Sequence, residues 1–360
     1  MRVELPGMFD LQVNGFAGVD FNDPALTTDG VVRALDRMRA TGVTRCLPTL
    51  ITSSFDTFAA SAQLLTGVPH PAIAGIHMEG PYISPADGAR GAHPREHIIA
   101  ASIDDFERRH DACEGRIRMV TIAPEVPGAL ALIEHLVLSG VRAAIGHTAA
   151  TPQEIADGIS AGATFATHLG NGCPQMLPRH PNPIWELLAS DAVLASFIVD
   201  GHHLPGSTVK AMVRAKGPQR AVLVTDAIAA AGCRPGRFTL GGVVCELGDD
   251  GRVSLPGTPY LAGSALTMDR AIANVVRFTS LPLEEAAAMA STVPAAYLGE
   301  APAGRVTADW DEARYELRIL SVSVFVASGV VVSGAPATER DPDLTRTAES
   351  SDPADPETLK

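Results

Sequence analysis

The sequence predicts an α/β chain folded as a (β/α)8 TIM barrel with a small β appendage, on three observations. Short apolar runs alternate with longer segments of helical periodicity, the signature of βα units and a parallel sheet. Several of those runs stop at an ionisable side chain, as strands do when their carboxyl ends share one mouth. The chain of 360 residues, 46% hydrophobic and 19% charged, is long enough to bury a large core. A doubly wound open sheet is the competing arrangement.

Taken in order, the strand candidates are MFDLQV, TRCLPTL, AIAGIHM, RIRMVTIA, VRAAIGH, ATFATHL, LASFIVD and RAVLVTD, beginning near positions 8, 44, 72, 116, 141, 163, 194 and 220. Helices between them are expected from Thr27, Ser53, Glu125, Thr151 and Pro205, several opening on Ser, Thr or Pro and closing on Gly as capping requires. After the eighth strand, FTLGGVVCELGDDGRVSL reads as a hairpin turning at Asp249, Asp250 and Gly251. Helices from about Thr267 and about Leu283 follow, and then ELRILSVSVFVASGVVVSG, residues 316–334, reads as strands outside the barrel. The expected organisation is a barrel over 1–300 with a hairpin insertion at about 236–256, appendage strands over 301–335, and a disordered tail over 336–360, where Pro, Asp, Glu, Ser and Thr leave little to bury.

The bulk numbers exclude some functions. A formal net charge of −13 lacks the basic footprint that a nucleic-acid backbone or an anionic membrane surface requires, so neither is an expected partner. Five scattered cysteines form no CxxC pair, which argues against a disulfide framework or a thiolate zinc knot and for a reducing compartment. The start, MRVELPGMFDLQ, has no signal-peptide core, and no apolar run reaches the ~18 residues of a membrane span, so a soluble cytoplasmic protein is expected.

The chemistry sits at the strand ends: His77 and Glu79, His147, His168 and Asn171, Asp200 with His202 and His203, and Asp226. Each has a plain structural explanation. Glu79 could cap the turn at Gly80-Pro81, His203 could be a surface residue before Pro205, and Asp226 could be the N-cap of TDAIAAAG. His77, at the alternate parity of its strand, is read as pointing away from the mouth. Together on one face, these groups are costly to desolvate unless they bind something in common. Glu79, His147 and His168 supply one carboxylate and two imidazoles, a ligand set of catalytic zinc sites that leave a position open for water, with Asp226 free to act as general base and acid.

The chain resembles the N-acetylglucosamine-6-phosphate deacetylases of the amidohydrolase superfamily through DLQVNGFAGVDFND from Asp10, GIHMEGPYISP from Gly75, GAHP from Gly91, APE from Ala123, GHTAAT from Gly146, THLGNG from Thr167, VDGHH from Val199, VTDA from Val224 and LAGSALTMDRAIANV from Leu261. The resemblance implies a metal-dependent hydrolase barrel in which Glu79, His147 and His168 hold one divalent ion and Asp226 is the catalytic carboxylate. Zn is the expected ion, with Fe, Co or Mn able to take its place. His93 would contact the amide carbonyl or the sugar, while Asn171, Gly172, Arg179, His203 and Leu261 match substrate-holding positions.

Family members of this kind form dimers, with the arginine reaching across from a neighbouring subunit, so a homodimer is expected. Gln12 and Asn14 stand where superfamily members often carry an HxH pair for a second metal, and neutral amides are poor ligands there. The implied reaction is hydrolysis of the N-acetyl group of N-acetylglucosamine-6-phosphate. Action on another N-acyl amine or sugar by deacylation or deamination, and a non-catalytic sugar-phosphate-binding barrel, are the alternatives.

Two departures from the family pattern stand out. The usual THLxNAM reads THLGNGCPQM here, and Gly172 is expected to loosen the phosphate-side loop. Family members usually carry a strand-rich segment ahead of the first barrel strand, which pairs with C-terminal strands. Only nine residues precede Asp10, so the β appendage is expected to be incomplete, with 316–334 left to pair with the 238–255 hairpin, a partner subunit, or poorly. The segment TADWDEARYEL inserts charge where the family runs into an apolar strand.

Overall fold

The computed structural model describes residues 1–258, 260–325 and 331–334. The expected tail at 336–360 lies outside the described residues. Eight parallel strands, Met8–Val13, Val43–Ile51, Ile76–Glu79, Ile117–Ile122, Arg142–Ile145, Phe165–Ala166, Leu194–Phe197 and Ala221–Leu223, form one sheet in chain order. All eight coincide with the runs read from the sequence. Their residues are almost all buried, because helices cover the outer face and side chains fill the inside, which is why the strands read as unbroken apolar runs.

The first and eighth strands share no ladder; the barrel closes there by single contacts. Val13 bridges Ala227 in parallel. Asp226 N–H donates to the Gln12 carbonyl at 2.9 Å, and Asn14 N–H to the Ala227 carbonyl at 2.7 Å.

The expected helices form at Thr28–Arg39, Phe55–Gly67, Ala129–Leu138, Pro152–Ser160 and Gly206–Lys216. Thr27 and Ser54 accept from backbone N–H groups in the first turns of theirs, and Thr151 with Glu154 makes a full capping box. Three α-helices escaped the sequence reading, Ile103–Ala112, Pro183–Ala189 and the six-residue Thr292–Tyr297. The first, IDDFERRHDA, is too charged to show an apolar stripe; Phe106 is buried, and the guanidinium of buried Arg109 lies 5.0 Å from the Phe58 ring centre. The second is only seven residues long, and buried Lys216 secures its far end by donating to the carbonyls of Leu187 and Ser190, both at 2.7 Å.

The appendage departs from expectation. Arg2–Pro6, within the nine residues before Asp10, forms an antiparallel pair with Arg305–Asp311, which pairs in turn with Glu316–Phe325 and then Val331–Gly334. The charged segment TADWDEARYEL is therefore a hairpin: Thr307–Asp311 is strand and residues 312–315 turn. Its alternating burial, with Val306, Ala308 and Trp310 inside, shows one face on the barrel and one face in water. Strand 316–325 pairs here and not with the insertion near 238–255. That insertion is itself three strands, Gly236–Leu240, Val243–Leu247 and Val253–Ser254; Gly241 and Gly242 make the first turn, and Asp249 to Gly251 only the second.

Candidate active site

Glu79 is the last residue of the third barrel strand, and His147, His168 and Asp226 follow the fifth, sixth and eighth within three residues. The strand direction thus carries all four to one mouth. Three of them depart from ordinary backbone: His147, His168 and Asp226 have φ of 48°, 28° and 48°, in the left-handed region that L-residues avoid. Such conformations cost about 1–3 kcal/mol each and persist where surroundings over-determine them, characteristically at functional sites.

The ligand atoms converge. His168 Nε2 lies 3.1 Å from both Glu79 Oε1 and His147 Nε2, and His147 Nε2 lies 3.2 Å from the same carboxylate oxygen. Donors around a tetrahedral zinc at about 2.0–2.2 Å stand about 3.3–3.6 Å apart, so a few tenths of an ångström of movement would seat an ion. His147 Nδ1 donates to the Ala89 carbonyl at 2.9 Å, which leaves the Nε2 lone pair facing the centre, the usual support of a metal-binding imidazole. The residues therefore fit a divalent cation.

Two side chains flank this cluster as donors. Gln12 Nε2 donates to Glu79 Oε1 at 2.8 Å, and Asn14 Nδ2 donates to Asp226 Oδ1 at 2.7 Å. Each amide thus turns its N–H side to a carboxylate, where an HxH pair would turn lone pairs to a second cation. His93, buried in the loop after the third strand, places Nε2 3.7 Å from Glu79 Oε2 and Nδ1 2.9 Å from the Thr52 hydroxyl.

Electrostatics follow from this packing. Burial opposes ionisation of Glu79, yet hydrogen bonds and charge from His147 and His168 hold its carboxyl well below the usual range. Burial also opposes charge on His168, but the Glu79 hydrogen bond and charge outweigh it and raise its pKa. Burial, then His147, pushes His93 down to about 3, so it is neutral at pH 7 and carries a single N–H. Burial and the Glu79 charge push Asp226 up to about 6.

A family model described as the amidohydrolase family matches residues 3–311. The chain belongs to the amidohydrolase family. Within it the similar curated relatives deacetylate amino-sugar 6-phosphates: human N-acetylglucosamine-6-phosphate deacetylase is 37% identical, over 83% of this chain and 75% of the relative. The N-acetylgalactosamine-6-phosphate deacetylase of Escherichia coli O157:H7 is 35% identical, over 82% and 78%. Among solved structures, a mutant N-acetyl-D-glucosamine-6-phosphate deacetylase from Mycobacterium smegmatis in complex with N-acetyl-D-glucosamine-6-phosphate superposes with a TM-score of 0.82 at 33% identity, covering 92% of this chain and 87% of that one.

The remaining sequence-derived residues of this amidohydrolase divide into those near the mouth and those away from it. Asn171 Nδ2 donates to the His168 carbonyl at 3.2 Å, so it lies beside the ligands. Gly172 has φ of 57°; a Cβ there would stand 3.0–3.2 Å from the His147 ring, and the Gly172 carbonyl accepts from Thr148 N–H at 3.1 Å. The missing methyl lets the backbone lie against the imidazole. His203 Nδ1 pairs with Asp200 Oδ2 at 2.7 Å; burial pushes the Asp200 carboxyl up, but that hydrogen bond together with the His203 charge and the N–H groups of His203 and His202 holds it below its ordinary value.

Leu261 is half-buried and bridges Ser254 of the insertion. Arg179 is exposed in the loop between the sixth strand and helix Pro183–Ala189, and the structure does not gather it with Glu79 and the imidazoles. His77 is a buried core residue, but not by the parity read for it: two residues before Glu79 it lies on the same face of the strand, where it bonds the Leu11 carbonyl at 3.0 Å and Thr121 Oγ1 at 2.8 Å.

The sequence reading missed Thr52, which orients His93, and assigned no role to Glu125 of the APE motif. Glu125 accepts from Thr148 Oγ1 at 2.6 Å and from Ala149 N–H at 2.7 Å, securing the chain just past His147. The motif was the only signal for it.

Proposed function

We propose that this chain hydrolyses the N-acetyl group of N-acetylglucosamine-6-phosphate, giving glucosamine-6-phosphate and acetate. The observation that carries the reading is the convergence of Glu79, His147 and His168 beside Asp226, in a fold that superposes on a relative holding that sugar phosphate. Glu79, His147 and His168 would hold one divalent ion, zinc for this donor set, and when bound it supplies Lewis acidity that acidifies a water and polarises the amide carbonyl.

Asp226 Oδ1 is engaged by Asn14, so Oδ2 is the oxygen that takes the proton of the attacking water. The neutral His93 donates its Nε2–H to the carbonyl oxygen as negative charge develops there, because Thr52 Oγ1 and N–H occupy its Nδ1. The C–N bond then breaks and Asp226 returns the same proton to the departing amine. A base of this kind works ionised, so kcat/KM falls as pH drops through its pKa. Burial and Glu79 set that value to about 6 and a bound cation draws it lower. The expected pH profile of kcat/KM has an acidic limb at or below about pH 6; activity that stays flat down to pH 4 would remove Asp226 as the base.

Arg179, exposed in its loop, would grip the 6-phosphate from a neighbouring subunit of a homodimer, since a guanidinium forms a bidentate clamp on phosphate. Arg179→Ala should lower kcat/KM on the phosphorylated sugar by about 10- to 100-fold, the worth of a charge-assisted hydrogen bond, and leave unphosphorylated N-acetylglucosamine unchanged. Equal losses on both would end the phosphate role.

Release of acetate from a panel of N-acetylglucosamine-6-phosphate, N-acetylgalactosamine-6-phosphate and N-acetylglucosamine tests the whole reading. The 35% identity to an N-acetylgalactosamine-6-phosphate deacetylase favours the 4-epimer as the second substrate to try. A cytoplasmic location fits a substrate that is a phosphorylated metabolite, and among the described residues no helix is long and apolar enough to cross a membrane.

A further inference from the structure

Asp10 is a fully buried carboxylate that the proposed chemistry does not use, and it lies on the seam where the barrel lacks a ladder. Its Oδ2 accepts from Thr225 Oγ1 at 2.5 Å, and its Oδ1 from the N–H groups of Thr225 and Gln12, both at 3.2 Å. Thr225 Oγ1 in turn accepts from Ala227 N–H at 3.2 Å. From the other side, Ser264 of the GSALTMD motif donates its hydroxyl to the Thr225 carbonyl at 2.5 Å and its N–H to the Asp226 carbonyl at 3.0 Å.

These contacts meet at one residue. Two peptide groups flank Asp226, and all four of their hydrogen-bonding atoms are engaged: the Thr225 carbonyl by Ser264 Oγ, Asp226 N–H by the Gln12 carbonyl, the Asp226 carbonyl by Ser264 N–H, and Ala227 N–H by Thr225 Oγ1. Asp226 has φ of 48°, a conformation an aspartate leaves unless held. Relaxation to a right-handed or extended backbone would swing its carboxylate away from the mouth.

We propose that Asp10, Thr225 and Ser264 form a buried polar chain that positions Asp226 for proton transfer. This inference rests on the reading of Asp226 as the general base. The three are positioning residues; none touches the ligand cluster. Asp10 takes the place of a missing ladder bond on the first-strand side, and Ser264 does so from the segment that follows the insertion.

The test compares Thr225→Val, Thr225→Ser, Ser264→Ala and Asp226→Asn in the metal-loaded full chain, reading kcat, KM and bound metal per chain during acetate release. Misplacement of a reacting group by about 1 Å costs about 10²-fold, so Thr225→Val should lower kcat by about that factor and Ser264→Ala by about tenfold, with KM and metal content within about twofold of the parent. Thr225→Ser, which keeps the hydroxyl, should stay within about threefold of the parent.

Wild-type kcat in Thr225→Val and Ser264→Ala beside an inactive Asp226→Asn overturns the positioning role alone. So does a loss of kcat that comes with a matching loss of metal, or a Thr225→Ser variant as impaired as Thr225→Val. An Asp226→Asn control that keeps more than a tenth of parental kcat overturns the general-base assignment and this proposal with it. If Thr225→Val does not fold, Ser264→Ala, which deletes a single oxygen, decides alone.

Discussion

Asp226→Asn is expected to lower kcat by about 10²- to 10⁴-fold, the usual contribution of general acid–base catalysis, with bound metal and KM little changed. The size follows from the double use of one carboxylate: Asp226 would take the water's proton and hand it to the amine, and an amide can do neither. The substitution preserves shape, and the backbone bonds that hold residue 226 to Gln12 and Ser264 do not involve the side chain. Steady-state kinetics with metal analysis on the same preparation checks it. Retention of more than a tenth of kcat at full metal occupancy would move the proton-transfer role elsewhere.

His168→Ala, or His147→Ala, is expected to abolish tight metal binding and activity together. Each imidazole contributes one of three donor atoms that meet within 3.1–3.2 Å of one another, so losing one leaves a pair that cannot complete the set. The parent and variants should also differ in heat stability. A ligand present at 1,000 times its Kd stabilises the folded state by about 4 kcal/mol, which for a chain of 360 residues is about 5 °C in Tm. Chelation should lower the parent's Tm by about that much and leave the His168→Ala variant's Tm unmoved.

Metal affinity is expected to rise with pH. Without the ion, Glu79 is held ionised and His168 has a raised pKa, so the cluster retains a proton between them. Metal uptake must expel it, and the apparent affinity therefore rises with pH through the range in which His168 titrates. Metal titrations at several pH values check this; an affinity independent of pH between 5 and 8 would argue against these ligands.

Much of the candidate site was legible because its residues are marked locally. His147 ends VRAAIGH, Asp226 ends RAVLVTD and His168 stands next to last in ATFATHL, each a polar group at the close of an apolar run, and the direction of parallel strands does the rest. His77 and Glu79, two apart on the same strand, needed more. Both are buried, and Glu79 joins the imidazoles while His77 bonds Thr121 and the Leu11 carbonyl. The close approach at Gly172 was not legible, because a glycine in a loop says nothing about what a methyl there would meet; the ring of His147, 25 positions earlier, supplies that answer.

By itself the sequence determined the eight strands, most of the helices, and the set of side chains that stop those strands, since burial periodicity and capping are properties of neighbouring residues. The tertiary structure alone decided how Arg2–Pro6 finds Arg305–Asp311, which imidazole nitrogen faces the centre, and how Asp10 reaches Thr225 across the seam. Those contacts join positions up to about 300 apart. They depend on how the closed barrel sets strand ends and loops side by side, and no local pattern along the chain encodes that placement.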